Sequence, residues 1–312
     1  DLFCGGGGSA YGARVAGVGI AAGIDLWPLA TEIFADNFPE ARVYCESLET
    51  IDAARISEEI GDIDLLLASP ECTNHSCARG ARPRSETSQE TALQVLRYAK
   101  ALKPRWLILE NVIHMRPWSR YQELLDALRE EGYSLNEHVL DAADFGVPQR
   151  RKRLFILCDR EGEPPTLIPK RRGRKLRARS ILDKPGTWTS SLLKNGRRAQ
   201  ATLDRAERGF AALGRDASFL IVYYGSDGAG GWQPLDAPLR TITTLDRFGL
   251  VEPSADGSTL RMLQVPELHR AMGFGKDFRL ERGVRRERIK ILGNGVCPPV
   301  MKAAVRALTS DS

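Results

Sequence analysis

The chain opens on Asp1–Gly17, DLFCGGGGSAYGARVAG, and reaches Gly23-Ile24-Asp25 a few residues later. These two stretches decide the fold. Four glycines stand between an apolar strand end and a helix-like segment, where they let a ligand approach the backbone N–H groups of a helix start. No Gly-Lys-Ser/Thr follows, so the loop is not the phosphate-cradling kind. Asp25 closes the next apolar run. A carboxylate there can accept hydrogen bonds from both ribose hydroxyls of a nucleoside-type cofactor. It can equally cap the helix that Pro28 begins. Loop and acid together point to a nucleoside cofactor without a pyrophosphate.

Further apolar runs at 19–24, 63–68, 106–109 and 154–158, with one cut short at 1–4, alternate with amphipathic segments near 29–37, 88–102 and 120–131. That rhythm predicts an α/β fold, a doubly wound and mostly parallel sheet with its ligands at the carboxyl ends of the strands. After residue 160 the pattern breaks. Pro164-Pro165, Pro169, a basic run and glycine-rich turns predict a second, smaller and irregular domain. Helical periodicity is expected again only after Pro299, in VMKAAVRAL, with Gly293-Asn294-Gly295 as a turn before it. The expected organisation is a cofactor-binding domain over 1–160, a second domain over 161–285, and a segment over 286–312 that returns to the first.

A chain of 312 residues, 42% hydrophobic, can bury one large core or two smaller ones. It contains no run of eighteen apolar residues, so no membrane-spanning helix is expected. No signal peptide is visible; the sequence opens at Asp1 without Met, and a few residues are expected ahead of it. The cysteines at 4, 45, 72, 77, 158 and 297 lack framework spacing, which fits a reducing cytoplasm. A net charge of +5 hints at a polyanionic partner. The charge is not evenly spread, since Lys170–Arg179 reads KRRGRKLRAR. That run is either a solvated face or a strip that contacts phosphates.

The run ending at Ala68 leads into Ser69-Pro70-Glu71-Cys72-Thr73-Asn74-His75-Ser76-Cys77. Zinc would need a further Cys or His pair at ligand spacing, but the other histidines (114, 138 and 269) stand far apart and singly, so no metal is expected. A redox Cys-x-x-Cys is absent. A cysteine at the carboxyl end of a parallel strand remains, a nucleophile on display. The next strand ends in Glu110-Asn111-Val112, and Gln149-Arg150-Arg151-Lys152-Arg153 borders another. Arg151 and Arg153, two apart, share one face of an extended segment. A thiol, a carboxyl group and two guanidiniums are therefore expected to converge.

DLFCGGGG, the Cys72 loop, Glu110-Asn111-Val112, QRRKR and GNG, in this order and spacing, resemble the DNA cytosine C5-methyltransferase family. The resemblance covers 1–160 and roughly 235–305. It implies a Rossmann-like methyltransferase fold with a target-recognition domain, and S-adenosyl-L-methionine as cofactor. Phe3, Gly5, Gly7 and Asp25 would then be cofactor residues. Leu26 follows the ribose acid, Glu46 stands where an acid contacts the adenine, and Asn294 approaches the methionine part. One departure sits at the centre: the family has Pro-Cys-Gln where this chain has Pro70-Glu71-Cys72-Thr73. Aligned without a gap, Cys72 and Ser76 match the family's cysteine and its following serine.

What the resemblance implies for the chemistry is an attack by the Cys72 thiolate on C6 of a cytosine flipped out of duplex DNA. Glu110 would donate to N3, which requires a proton and so a pKa raised by burial. Arg151 and Arg153 would hold the base carbonyl, the carboxyl network and a nearby phosphate. Arg171, Arg172 and Arg174 of the basic strip become candidate phosphate contacts. Arg240 and Thr243, in the run RTITT, would support the recognition region. Expected alongside are a cytoplasmic, monomeric protein of bacterial or phage origin, with double-stranded DNA as substrate and room for a cognate restriction endonuclease as partner. The competing readings are a tRNA cytosine methyltransferase, a non-catalytic DNA-binding relative, and another C5 modification through the same enamine with a variant donor. Retention of Cys72, Glu110, Arg151 and Arg153 together argues against the non-catalytic relative, and the basic strip and the region 161–235 favour DNA.

Overall fold

The computed structural model describes residues 1–70, 91–169, 175–223 and 230–310. Its main sheet is built on strands β1 (Ala22–Ile24), β2 (Arg42–Tyr44), β3 (Leu65–Ala68), β4 (Trp106–Asn111), β5 (Ser134–Asp141) and β6 (Lys152–Asp159). β1 pairs with β2, and β3 with β4, all parallel. Leu2 closes the sheet between them, bridging Ile24 on one side and Ala68 on the other. β6 then lies antiparallel between β4 and β5. The sheet is therefore mostly parallel with one reversed strand. That reversal is what brings the amino end of β6, with Arg153, beside the carboxyl end of β4, with Glu110.

Helices cover both faces. On one side lie α1 (Gly8–Ala16), α2 (Pro28–Asn37) and the C-terminal helix Pro298–Thr309; on the other, α3 (Ala53–Ile60), α4 (Gln94–Leu102) and α5 (Tyr121–Glu130). The strands alternate accordingly. Ile108 of β4 and Phe155 and Leu157 of β6 face the first set, whereas Leu107, Leu109, Leu154 and Ile156 face the second. A side chain such as Phe34 or Tyr98, fully buried here, contributes about 1.5–3 kcal/mol by leaving water.

Residues 191–262 form a second sheet, entirely antiparallel. It comprises β7 (Ser191–Leu192), β8 (Phe219–Val222), β9 (Trp232–Pro234), β10 (Phe248–Glu252) and β11 (Thr259–Met262), in the order β7-β11-β10-β8-β9. Helix α6 (Gln200–Leu213) packs on one face, Ala206 and Phe210 meeting Phe219, Ile221, Val251 and Leu260. The opposite face, with Leu220, Val222 and Leu250, joins the main core.

Helical structure does not wait for Pro299. Besides α6, the chain forms α7 (Val265–Met272), α8 (Arg285–Asn294) and then α9 (Pro298–Thr309). In α7 the periodicity is disguised because Glu267, fully buried, sits on the inward face. Its carboxylate is gripped by both forks of Arg261 at 2.7 and 2.8 Å and also accepts the Gln264 N–H. Removing one partner of such a pair costs about 3–5 kcal/mol. Gly293 and Asn294 are the last residues of α8, so the expected free turn is a helix end.

A cavity of about 480 Å³ opens at the amino ends of the strands, among Asp1, Ala22, Leu65 and Trp106. Chemistry in open α/β sheets belongs at the other end, and the candidate residues gather there.

Candidate active site

The glycine loop is fixed from behind and open in front. Gly7 takes φ +96°, and a Cβ there would meet the Phe38 ring at 2.5 Å. Gly5, at φ +51°, has nothing within 4 Å of that position. Packing thus demands glycine at 7, whereas at 5 the backbone needs positive φ and the space in front is left for something else. Phe3 also has positive φ, +55°.

Asp25, at the end of β1, ties this loop down. One carboxylate oxygen accepts the Gly5 N–H at 2.8 Å and the other the Trp27 N–H at 2.9 Å. The N-cap of α2 is Trp27 and carries no side-chain cap, so Asp25 does not cap the helix but holds the turn that precedes it. Leu26 is 68% exposed beside it. The Cys45 thiol reaches the Leu26 carbonyl oxygen, and Glu46 pairs with Arg55 at 3.6 Å across a half-exposed surface. Asn294 is exposed at the end of α8. Its neighbourhood touches the loop: a Cβ on Gly8 would lie 2.7 Å from the Val296 carbonyl oxygen, and one on Gly6 2.8 Å from the Ile291 side chain. An open backbone at Gly5, a carboxylate with spare lone pairs, an exposed apolar side chain and an exposed amide suit a nucleoside with an amino-acid tail. These residues fit S-adenosyl-L-methionine.

Trp27 is a residue that sequence reasoning passed over in favour of Leu26. Its N–H holds Asp25, and the Lys290 ammonium lies 4.3 Å from its ring centroid. An aromatic residue two positions after the acid was the available signal.

On the other side of the site, Glu110 is the penultimate residue of β4 and buried, 6% exposed, with Arg153 Nε 3.3 Å from its Oε1. Burial pushes the Glu110 carboxyl above the ordinary carboxylate range, although Arg153 and then Arg151 pull it down. Glu110, Arg151 and Arg153 share a small cavity with Phe155, Val296 and Cys297, about 10 Å³ and so room for one water. Cys297 was not among the expected residues; burial drives its thiol up to about 11, which makes it a poor nucleophile.

The two arginines are used differently. Arg153 faces Glu110. Arg151, 3% exposed, sends Nη1 to the Ile242 carbonyl at 3.0 Å and Nη2 to those of Gly293 and Gly295 at 2.8 and 2.9 Å. Gln149, wholly buried, accepts the Ile242 N–H at 2.8 Å and donates to the Ala271 carbonyl. Arg240 donates to the Trp232 carbonyl, and Thr243 closes a turn with Leu245.

Cys72, Ser76, Arg171, Arg172 and Arg174 lie outside the described residues. The root of the Cys72 loop is described. Ser69 donates its N–H to the Leu2 carbonyl, its hydroxyl lies 3.2 Å from that of Ser9, and the Asn111 amide donates to the Pro70 carbonyl at 3.2 Å. The loop thus leaves β3 beside the start of α1 and the residue after Glu110.

A doubly wound sheet with its polar residues gathered at this edge defines a Rossmann-like methyltransferase fold. Two solved structures share it over nearly their whole length: S. pombe Dnmt2 methyltransferase (TM-score 0.71, 19% identity, 100% of this chain and 97% of that one) and Entamoeba histolytica methyltransferase EhMeth (0.72, 17%, 99% and 97%). The sequence pattern of the C-5 cytosine-specific DNA methylases matches residues 1–310, and the chain belongs to that family. Among its relatives, Type II methyltransferase M.HgiDI of Herpetosiphon aurantiacus is 36% identical over 162 residues, 52% of each chain. Type II methyltransferase M.HindV of Haemophilus influenzae is 30% identical over 192 residues, 60% of this chain and 59% of that protein. The matches span about half the length of these relatives.

Proposed function

We propose that the chain transfers a methyl group from S-adenosyl-L-methionine to C5 of a cytosine flipped out of duplex DNA at a specific sequence. The observation that carries this reading is the buried Glu110–Arg153 pair, whose carboxyl is biased toward its protonated form at the sheet edge that also holds the glycine loop. The main sheet with α9 is the catalytic part, and the region 161–285 the target-recognition part.

Cytosine C5 is a weak nucleophile. The Cys72 thiolate adds to C6, forming an S–C6 bond, while the displaced ring electrons let N3 take the proton that Glu110 donates. Arg153 orients the carboxyl group and offers its remaining donors to the base carbonyl. Addition at C6 makes the C5 carbon enamine-like and able to accept a methyl group; S-adenosyl-L-methionine, when bound, would supply an electrophilic sulfonium methyl, the S–CH3 bond breaking to leave a neutral thioether. Water or hydroxide then removes the C5 proton, the C5–C6 double bond reforms, the Cys72 sulfur leaves with the C6–S electron pair, and N3 returns its proton to Glu110. Phe3, Gly5, Asp25, Leu26, Glu46 and Asn294 hold the cofactor, with Gly7 shaping the loop behind it. Arg240 and Thr243 support the recognition part.

Sequencing that reports 5-methylcytosine in DNA from cells expressing the chain identifies the target. A duplex with 5-fluorocytosine at that position has no removable C5 proton, so methyl transfer leaves the protein attached. The expected adduct depends on S-adenosyl-L-methionine, maps to Cys72, and disappears in Cys72→Ser. An adduct on Cys77, or modification of tRNA with none of duplex DNA, refutes the reading.

A further inference from the structure

Arg151 joins two parts of the chain that the proposed function assigns to different ligands. Its guanidinium donates to Ile242, inside the 240–244 run of the recognition part, and to Gly293 and Gly295, which flank Asn294 on the cofactor side. These three acceptors, among the described residues, are backbone oxygens, so through them the guanidinium senses the positions of two segments rather than their side chains. The segments also touch directly, since a Cβ on Gly293 would lie 2.3 Å from the Thr243 carbonyl oxygen. From Gly295 the line continues through Val296 to Gly8, and from Ile291 to Gly6. On the far side the run is held again, by Gln149 Oε1 on the Ile242 N–H and by the Thr241 hydroxyl on the Arg150 carbonyl.

A hydrogen bond from a charged donor is stronger than one between neutral groups, and a buried charge left without its acceptors is strongly unfavourable. Displacing the 240–244 run alone therefore strands part of the Arg151 fork. The low-energy way to move the run is to carry the Gly293–Gly295 end of α8 with it, and that end rests on the glycine loop. Coupling of this kind has a physical carrier in a shared, rigid contact.

We propose that Arg151 is a positioning residue that couples DNA engagement to cofactor binding, acting through Gly293–Gly295. This rests on the function proposed above, and it assigns Arg151 a part in neither the bond-making step nor the base contact. The test is titration calorimetry of S-adenosyl-L-homocysteine with the full chain, with and without a duplex carrying the target. In the unaltered chain the duplex should tighten the ligand by about tenfold, within the usual range of such couplings. Arg151→Lys, which keeps the charge and loses the fork, should bring the ratio to within about twofold of unity. Gly293→Ala, which drives a methyl group against the Thr243 carbonyl, should do the same. Thr241→Val, a milder change that loses only the bond to Arg150, should lower the ratio part way.

A lowered melting temperature with the ratio intact in these variants would make Arg151 a structural staple and overturn the proposal, as would a ratio of one in the unaltered chain. If the unaltered chain binds neither ligand by itself, the functional reading fails, and with it the ground for this inference. Should the two stronger variants fail to fold, an unchanged ratio in Thr241→Val still overturns it.

Discussion

Arg153 Nε stands 3.3 Å from Glu110 Oε1, and yet the carboxyl group titrates above its ordinary range rather than below it. Desolvation outweighs the neighbouring cations because Glu110 is sealed at the end of β4, in register with Phe155. For a raised carboxyl, the associated stability is fully present below the unfolded pKa and is lost as pH rises through the folded one. Glu110→Gln cannot ionise, so its melting temperature relative to the unaltered chain should climb as pH increases over that interval. Methyl transfer should fall over the same interval, since N3 needs the proton. A stability difference that does not change with pH would remove the raised pKa, and with it the acid role of Glu110.

Asp25 binds two loop N–H groups and still presents lone pairs to the open side. Asp25→Ala should weaken S-adenosyl-L-methionine by about 1.5–3 kcal/mol, the span for hydrogen bonds to a charged group. Asp25→Asn, which keeps one carbonyl oxygen, should lie between. Calorimetric affinities equal in all three proteins would take Asp25 out of the site.

Gly5 and Gly7 should respond differently to the same methyl group. Gly5→Ala meets open space and costs only the left-handed backbone, about 1–2 kcal/mol in urea unfolding, with a larger loss in cofactor affinity. Gly7→Ala adds overpacking against Phe38, about 1–3 kcal/mol more. If Gly5→Ala binds the cofactor normally, the space in front of it is not the cofactor's.

Lys175, Arg177 and Arg179 are the cations of the basic strip among the described residues. Lys175 lies 2.7 Å from Asp144, and Arg177 and Arg179 lie 3.0 and 3.6 Å from Asp236. Their charges are partly answered within the protein. Neutralising Arg171, Arg172 and Arg174 should flatten the salt dependence of DNA binding by about 0.9 in log–log slope for each phosphate no longer neutralised. Replacing Lys175, Arg177 and Arg179 with uncharged residues should flatten it less. Equal slopes for both triples and the unaltered chain would return the run to a solvated face.

The half of the fold that sequence made legible is the half with long apolar runs. Leu65–Ala68, Trp106–Asn111 and Lys152–Asp159 are strands because their faces are buried on both sides, and such strands read as unbroken apolar stretches. Short elements left little to read. β2 has three residues and β7 two. In α6 the buried positions are Thr202, Ala206, Gly209 and Phe210, at helical spacing but with little bulk. In α7 a buried glutamate interrupts the apolar stripe. The site was legible as residue types and not as assignments. Two arginines at spacing two share a cavity, as extended backbone requires, but nothing in QRRKR shows that one of them spends its donors on backbone carbonyls. That depends on where Ile242 and Gly293 arrive, and both are distant in the chain.

The second sheet shows different faces to different neighbours. Phe219 and Ile221 pack under α6 together with Val251 and Leu260, whereas Leu220 and Val222, one step along the same strand, pack into the main core. Side chains under α6 are therefore shielded from the constraints that hold the catalytic body together. Chimaeras that exchange α6 and its facing positions as a set should keep the melting temperature of the parent, while exchange of Leu220, Val222 and Leu250 should lower it. On the proposed function, with a target preference that drifts while the chemistry stays put, strand alternation would work as an evolutionary firewall, letting one side diversify without rewriting the other.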